Sequence, residues 1–157
     1  MSGVDELVTF VRAALDRDEQ VALAATAGPW WHDPGKAWLG PEAFEAYDLR
    51  KGEEFVGYGE SPFSGCIAAT GPGSHVQSMA DAEHIARWDP ARVLAEVQAK
   101  RAILDLAQPA VMRALATQDP DFRDGYVTAC EDAVKLLAQP YAGQPGWREE
   151  WQLSAPA

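Results

Sequence analysis

Apolar residues at Val4, Leu7, Val8, Val11, Ala14, Leu15, Val21, Ala22 and Ala25 recur at helical steps. That period marks a helix with one buried face and predicts a helix over residues 4–25. At ~1.5 Å per residue it would be roughly 33 Å long. Ala27-Gly28-Pro29 ends it. Glycine and proline then become frequent, and the apolar runs shorten. GPWWHDPGKAWLG, residues 28–40, reads as a strand, a turn at Asp33-Pro34-Gly35 and a returning strand. Residues 41–52 read as a loop or a single helical turn. EEFVGYG, residues 53–59, and GCIAATG, residues 65–71, read as two further short strands.

Helical spacing returns after Gly73. Ser78 is a good N-cap residue, and Asp81 three positions on completes an acidic capping box, predicting a helix from Met79 to about Arg87. Asp89-Pro90 starts a second, longer helix, because proline fits the first helical turn and Asp89 can accept its free amides. Its stripe runs through Val93, Leu94, Val97 and Leu104, with Arg101 as a basic interruption. Arg101 is expected to pair with an acid of the first helix, Asp18 or Asp5. Glu96 and Lys100 form an i,i+4 pair. Pro109 is expected to end this helix, leaving AVMRALA as a short further segment. Asp119-Pro120 repeats the aspartate–proline start, and a helix to about Ala138 carries Tyr126, Val127, Cys130, Val134 and Leu137 on its apolar face. The fold expected is α+β, with long helices packed on one face of a small antiparallel sheet of three or four strands. It forms a single domain over residues 1–140, followed by an extended tail, 141–157, clipped back by Tyr141, Trp147 and Trp151.

Charge narrows the function classes. The chain has 24 acidic and 13 basic residues, a net charge of −11. Nucleic-acid binding needs basic density along one face, so the balance argues against it, and against an anionic membrane surface. A basic partner suits it better. Cys66 and Cys130 stand alone, without the close pairs of a zinc site. The opening MSGVDELVTF lacks the basic-then-apolar pattern of a signal peptide, and no apolar run is long enough to span a membrane. A soluble, reduced, cytoplasmic protein is expected.

Four stretches look familiar together: ATAGPWWHDPGKAW, CIAATGP, QSMADAEHIARWDPARVLAEVQAKRAIL and LLAQPYAGQPGWREEW. They resemble an uncharacterised domain-of-unknown-function family of actinobacteria, their phages and mobile elements. The resemblance covers nearly the whole chain and is most specific over DAEHIARWDPARVLAEVQAKRAIL. It implies a phage-associated setting and carries no activity. Relatives with extra cysteines after the long helix would suggest a metal, but that region holds only Cys130 in this chain.

Candidate chemistry is sparse, and no catalytic residue is assigned. His75, Asp81 and His84 could bind a divalent ion if they converged. The alternative is that Asp81 caps its helix and His84 packs beside a tryptophan. Gly71-Pro72-Gly73-Ser74 has the place but not the residues of a phosphate loop, since Pro72 has no amide hydrogen and no lysine follows. Cys66, among small apolar neighbours, reads as structural rather than nucleophilic. Six tryptophans are many for 157 residues. Strand alternation puts Trp30 and Trp31 on opposite faces, one for the core and one for a partner or ligand. The expected binding residues are therefore Trp30, Trp31, His32, Trp38, His75, His84 and Arg87. The function expected is non-enzymatic: a binding protein acting through protein contacts, with another protein or as a homo-oligomer. The alternative is a nucleotide-like small-ligand binder or hydrolase that uses the tryptophan- and histidine-rich hairpin.

Overall fold

The computed structural model describes residues 3–33, 52–59 and 64–153. The architecture is α+β: among the described residues there are four helices and a three-stranded antiparallel sheet. In chain order these are α1 (Gly3–Ala24), β1 (Trp30–Trp31), β2 (Glu53–Tyr58), β3 (Gly65–Pro72), α2 (Val76–Arg87), α3 (Pro90–Leu115) and α4 (Pro120–Ala138). Two short 3-10 turns follow, Gln139–Tyr141 and Glu149–Trp151. The turn and returning strand expected over residues 33–40, and the loop expected at 41–52, fall largely outside the described residues. Contacts divide the chain into two compact units, Met1–Asp18 with Glu96–Ala157, and Glu19–Ala95.

The first unit is helical. Leu7, Val8, Val11, Ala14 and Leu15 of α1 meet Val97 and Leu104 of α3, Val134 and Ala138 of α4, and Tyr141 and Trp151 beyond it. All of these but Ala138, Tyr141 and Trp151 are positions the helical periods mark, whereas Val21 and Tyr126, expected on the same stripes, are exposed. Burying each large side chain contributes about 1.5–3 kcal/mol. Phe10 packs against Trp147 and Trp151, with ring centroids 5.9 and 5.1 Å away. Tyr141 donates its hydroxyl to Asp18 Oδ2 at 2.6 Å. Arg101 bonds Asp16 Oδ1 at 2.5 Å, not Asp18 or Asp5 as expected. Asp18 is engaged by Tyr141, and Asp16 shares an edge of α1 with Arg12, which pairs with Asp105 at 2.6 Å. Such exposed pairs contribute at most about 1 kcal/mol each.

One expected helix limit in this unit is overturned. α3 does not stop at Pro109 but continues through it to Leu115. The lost backbone bond and ring clash cost roughly 3 kcal/mol. Continuation buries Ala110 and Ala114 on the far side of the proline, which offsets that cost. Asp119 caps α4 as its sequence predicts, accepting from the amides of Asp121 and Phe122.

The second unit holds the sheet. β2 is central and pairs antiparallel with β1 (Trp30 opposite Tyr58, Trp31 opposite Gly57) and with β3. Two irregularities in the β2–β3 register let four successive residues of β2, Glu54 to Gly57, be buried. α2 packs on the sheet and buries Ala82 completely. It begins three residues earlier than Ser78 predicts. A turn closed by the His75 amide on Pro72 O leads β3 directly into the helix, with His75 at the cap position. Ser78 is therefore buried inside α2, and its carbonyl accepts from Thr70 Oγ1 at 2.7 Å. Gly71, at φ +131°, sits where a Cβ would press on Ser78 Oγ. Asp81 caps nothing; it receives Gln77 Nε2 at 2.8 Å. Asp89 does cap α3, accepting from the Arg92 amide at 2.9 Å. No helix among the described residues is long and apolar enough to cross a membrane.

Candidate functional site

Four of the seven expected binding residues come together. Trp30 and Trp31 on β1, His32 just after it and Arg87 at the end of α2 line one groove of about 630 Å³. Val76, Met79, Ala80, Glu83 and Ala86 of α2 supply its other wall. Helical spacing explains why these five share a face: they fall three, four or one apart. Neither tryptophan is fully buried or fully exposed, so the expected division into one core and one free indole does not hold. Both indole N–H groups are used by backbone carbonyls. Trp30 Nε1 donates to Thr26 O at 2.8 Å and Trp31 Nε1 to Gly59 O at 3.0 Å. The Trp31 ring lies over Gly57, where any Cβ would collide with it, and meets the edge of Phe55.

His32 is fixed from behind. Its Nε2 lies 2.6 Å from Glu54 Oε2, and the two side chains are only 8% and 2% exposed. A carboxylate that deep is costly to bury unless hydrogen-bonded, and the imidazole meets that need. The sequence reading missed Glu54. The signal was available: in the doublet Glu53-Glu54 of a six-residue strand, alternation must turn one acid inward. At the groove's mouth Arg87 pairs with Glu83 at 3.0 Å, both exposed.

The remaining expected residues lie elsewhere. His75 is exposed at the start of α2, and His84 is exposed beside Trp88, their rings 6.3 Å apart. Neither lines the groove. Trp38 falls outside the described residues. Nine positions along one helix separate His75 from His84 by on the order of 13 Å, too far for one ion. No group of three histidine, cysteine, aspartate or glutamate residues able to hold a metal occurs among the described residues, so the His75, Asp81 and His84 set is not assembled. The glycine turn is no phosphate cradle either, since the Gly73 amide donates to Gly52 O and the His75 amide to Pro72 O. Burial pushes the Cys66 thiol above its ordinary range. Glu53 adds to that, and the Ala68 backbone works against it. That is the opposite of nucleophile activation.

The helical unit carries a second concavity that the sequence reading did not single out. α1, the last turns of α3 and the middle of α4 enclose a groove of about 700 Å³. Leu7, Val8, Val134 and Trp151 form its floor. Val111, Val127 and Cys130 form the walls, and Met112 and Leu115 stand at its edge 68% and 55% exposed. Asp5, Glu131 and Glu150 line it against a single Lys135. Continuation of α3 through Pro109 creates this edge, and a helix ended at the proline would have hidden it from prediction.

No curated protein and no solved structure matches the chain. A family of unknown function, DUF6221, matches residues 4–153. Apart from Gly3, the long helix, the short sheet and the linings of both grooves fall within the matched span, and the chain belongs to that family.

Proposed function

We propose that this protein works by contact, as a non-enzymatic binding protein whose helical unit receives an amphipathic helix of another protein. The observation that carries the reading is the α1–α3–α4 groove, apolar at its floor and bordered by three acids to one lysine. Helix-in-groove recognition uses such a trough, with anchors at helical spacing on the incoming segment. The acidic border and the net charge of −11 favour a partner with lysine or arginine along the edges of its apolar stripe. A second copy of this acidic chain suits the border less well.

The test uses two synthetic helical peptides, leucine-striped, one flanked by lysine and the other by glutamate. Trp151 in the floor serves as the fluorescent reporter. The lysine peptide should bind saturably, and the glutamate peptide should not. Leu115→Lys, at an exposed helical position, should weaken binding roughly ten- to hundredfold, from about 1.5–3 kcal/mol of lost burial and one added like charge. Equal affinity for both peptides would overturn the reading. So would a wild-type dimer that Leu115→Lys makes monomeric, which would give the groove to a second copy.

A further inference from the structure

We propose that the groove between β1 and α2 is a separate small-molecule site that takes a neutral planar heteroaromatic ring of the nucleobase class. Its volume of about 630 Å³ lies in the range of small-ligand sites and suits a nucleoside-sized molecule. Three features select the chemistry. First, Trp30 and Trp31 have both indole N–H groups engaged by backbone, so they offer a ligand ring faces and edges rather than donors. Second, His32 lines the groove with Nε2 held by the buried Glu54, which leaves Nδ1 as its one ring nitrogen for a ligand among the described residues. A histidine held by a buried carboxylate keeps one orientation, which is how a hydrogen bond to a ring edge is aimed. Third, Arg87 and Glu83 neutralise each other at the mouth, so the site as a whole does not call for a highly charged ligand.

Val76, Met79, Ala80 and Ala86 give the opposite wall apolar surface, and its one acid among the described lining residues, Glu83, is paired with Arg87. A saturated sugar would lose most from this setting, because it has no π-face and would leave its hydroxyls against apolar surface. The base could arrive as a free nucleoside or within a single strand. The net charge of −11 disfavours a polyanion, so the free nucleoside is the assigned source.

The test is a titration of the full-length protein with adenosine, guanosine, cytidine and uridine, followed by tryptophan fluorescence. Ribose and a short mixed-sequence single strand serve as comparisons. At least one nucleoside should quench saturably with a Kd of ~1 mM or tighter, and ribose should not. Ala80→Arg, at an exposed helical position in the wall, should abolish quenching while leaving the far-UV circular dichroism unchanged. Glu54→Gln should weaken binding at least fivefold and narrow the differences in Kd among the four nucleosides, whose ring edges carry different donors and acceptors. A structural role alone would lower its melting temperature without narrowing those differences. The proposal fails if no nucleoside binds, if Ala80→Arg binds like wild type, or if the single strand binds far better than any nucleoside. None of these results bears on the helical groove, so this inference and the contact reading fail separately.

Discussion

Replacing Tyr141 by phenylalanine removes one hydroxyl from the core of the helical unit and little else. Tyr141 is 4% exposed, and its hydroxyl donates to Asp18 Oδ2 at 2.6 Å. A hydrogen bond to a charged acceptor contributes roughly 1.5–3 kcal/mol, and the half-buried Asp18 recovers part of that from water when the donor goes. A net loss of about 1–2 kcal/mol is expected, which for a chain of this length lowers Tm by roughly 2–8 °C at pH 7. Alkali adds a second signature. Burial first, then the hydrogen bond and the negative charge of Asp18, raise the phenol well above its ordinary range near 10. The folded state therefore holds this proton when the unfolded chain has released it. The stabilisation is complete below about pH 10 and declines as pH rises beyond that, because the unfolded state binds fewer protons. Melts followed by circular dichroism from pH 7 to 11 should show wild type losing stability faster than Tyr141→Phe above pH 10, so the gap narrows. Tyrosinate absorbance should show one phenol titrating late in wild type and absent in the variant. A constant gap across that range, or an unchanged late phase in the variant, would refute the argument.

Other positions give shorter tests. Asp119→Ala should cost about 1 kcal/mol through loss of the α4 cap, whereas Ser78→Ala should cost little, since Ser78 caps nothing; paired denaturant melts compare them. Gly57→Ala should destabilise the sheet unit by roughly 1–3 kcal/mol and shift tryptophan emission, because the new Cβ displaces the Trp31 ring that Gly59 O holds. Cys66 should react slowly with iodoacetamide at pH 7.5 in the folded protein and rapidly in denaturant, as peptide mass spectrometry reads; equal rates would contradict its raised thiol.

Much of the helical framework was legible because it depends on local rules. The stripe from Val4 to Ala22 placed α1, and the aspartate–proline pairs at 89–90 and 119–120 placed the starts of α3 and α4. What failed involved competition between local preference and packing. Ser78 looked like a cap, but the turn after Pro72 had already begun the helix. Pro109 looked like a stop, but Ala110 and Ala114 had a core to enter. Trp30, Trp31, His32 and Arg87 were each named from the sequence as candidates, but that they line one groove follows only from how α2 packs on the sheet. Strand alternation across Glu53-Glu54 called for one inward acid, but its partner His32 lies twenty-two positions earlier, so the sequence alone did not join the two. The histidines at 75 and 84 were grouped by sequence proximity, which a straight helix turns into distance.

The contact reading is tested most directly by amide chemical shifts of the labelled protein during addition of the lysine-flanked peptide. Shifts should concentrate on residues 3–8, 107–115, 127–135 and 150–151, the borders of the helical groove, and be lost in Leu115→Lys. Shifts confined to residues 30–32 and 76–87, or scattered evenly over the acidic surface, would contradict it.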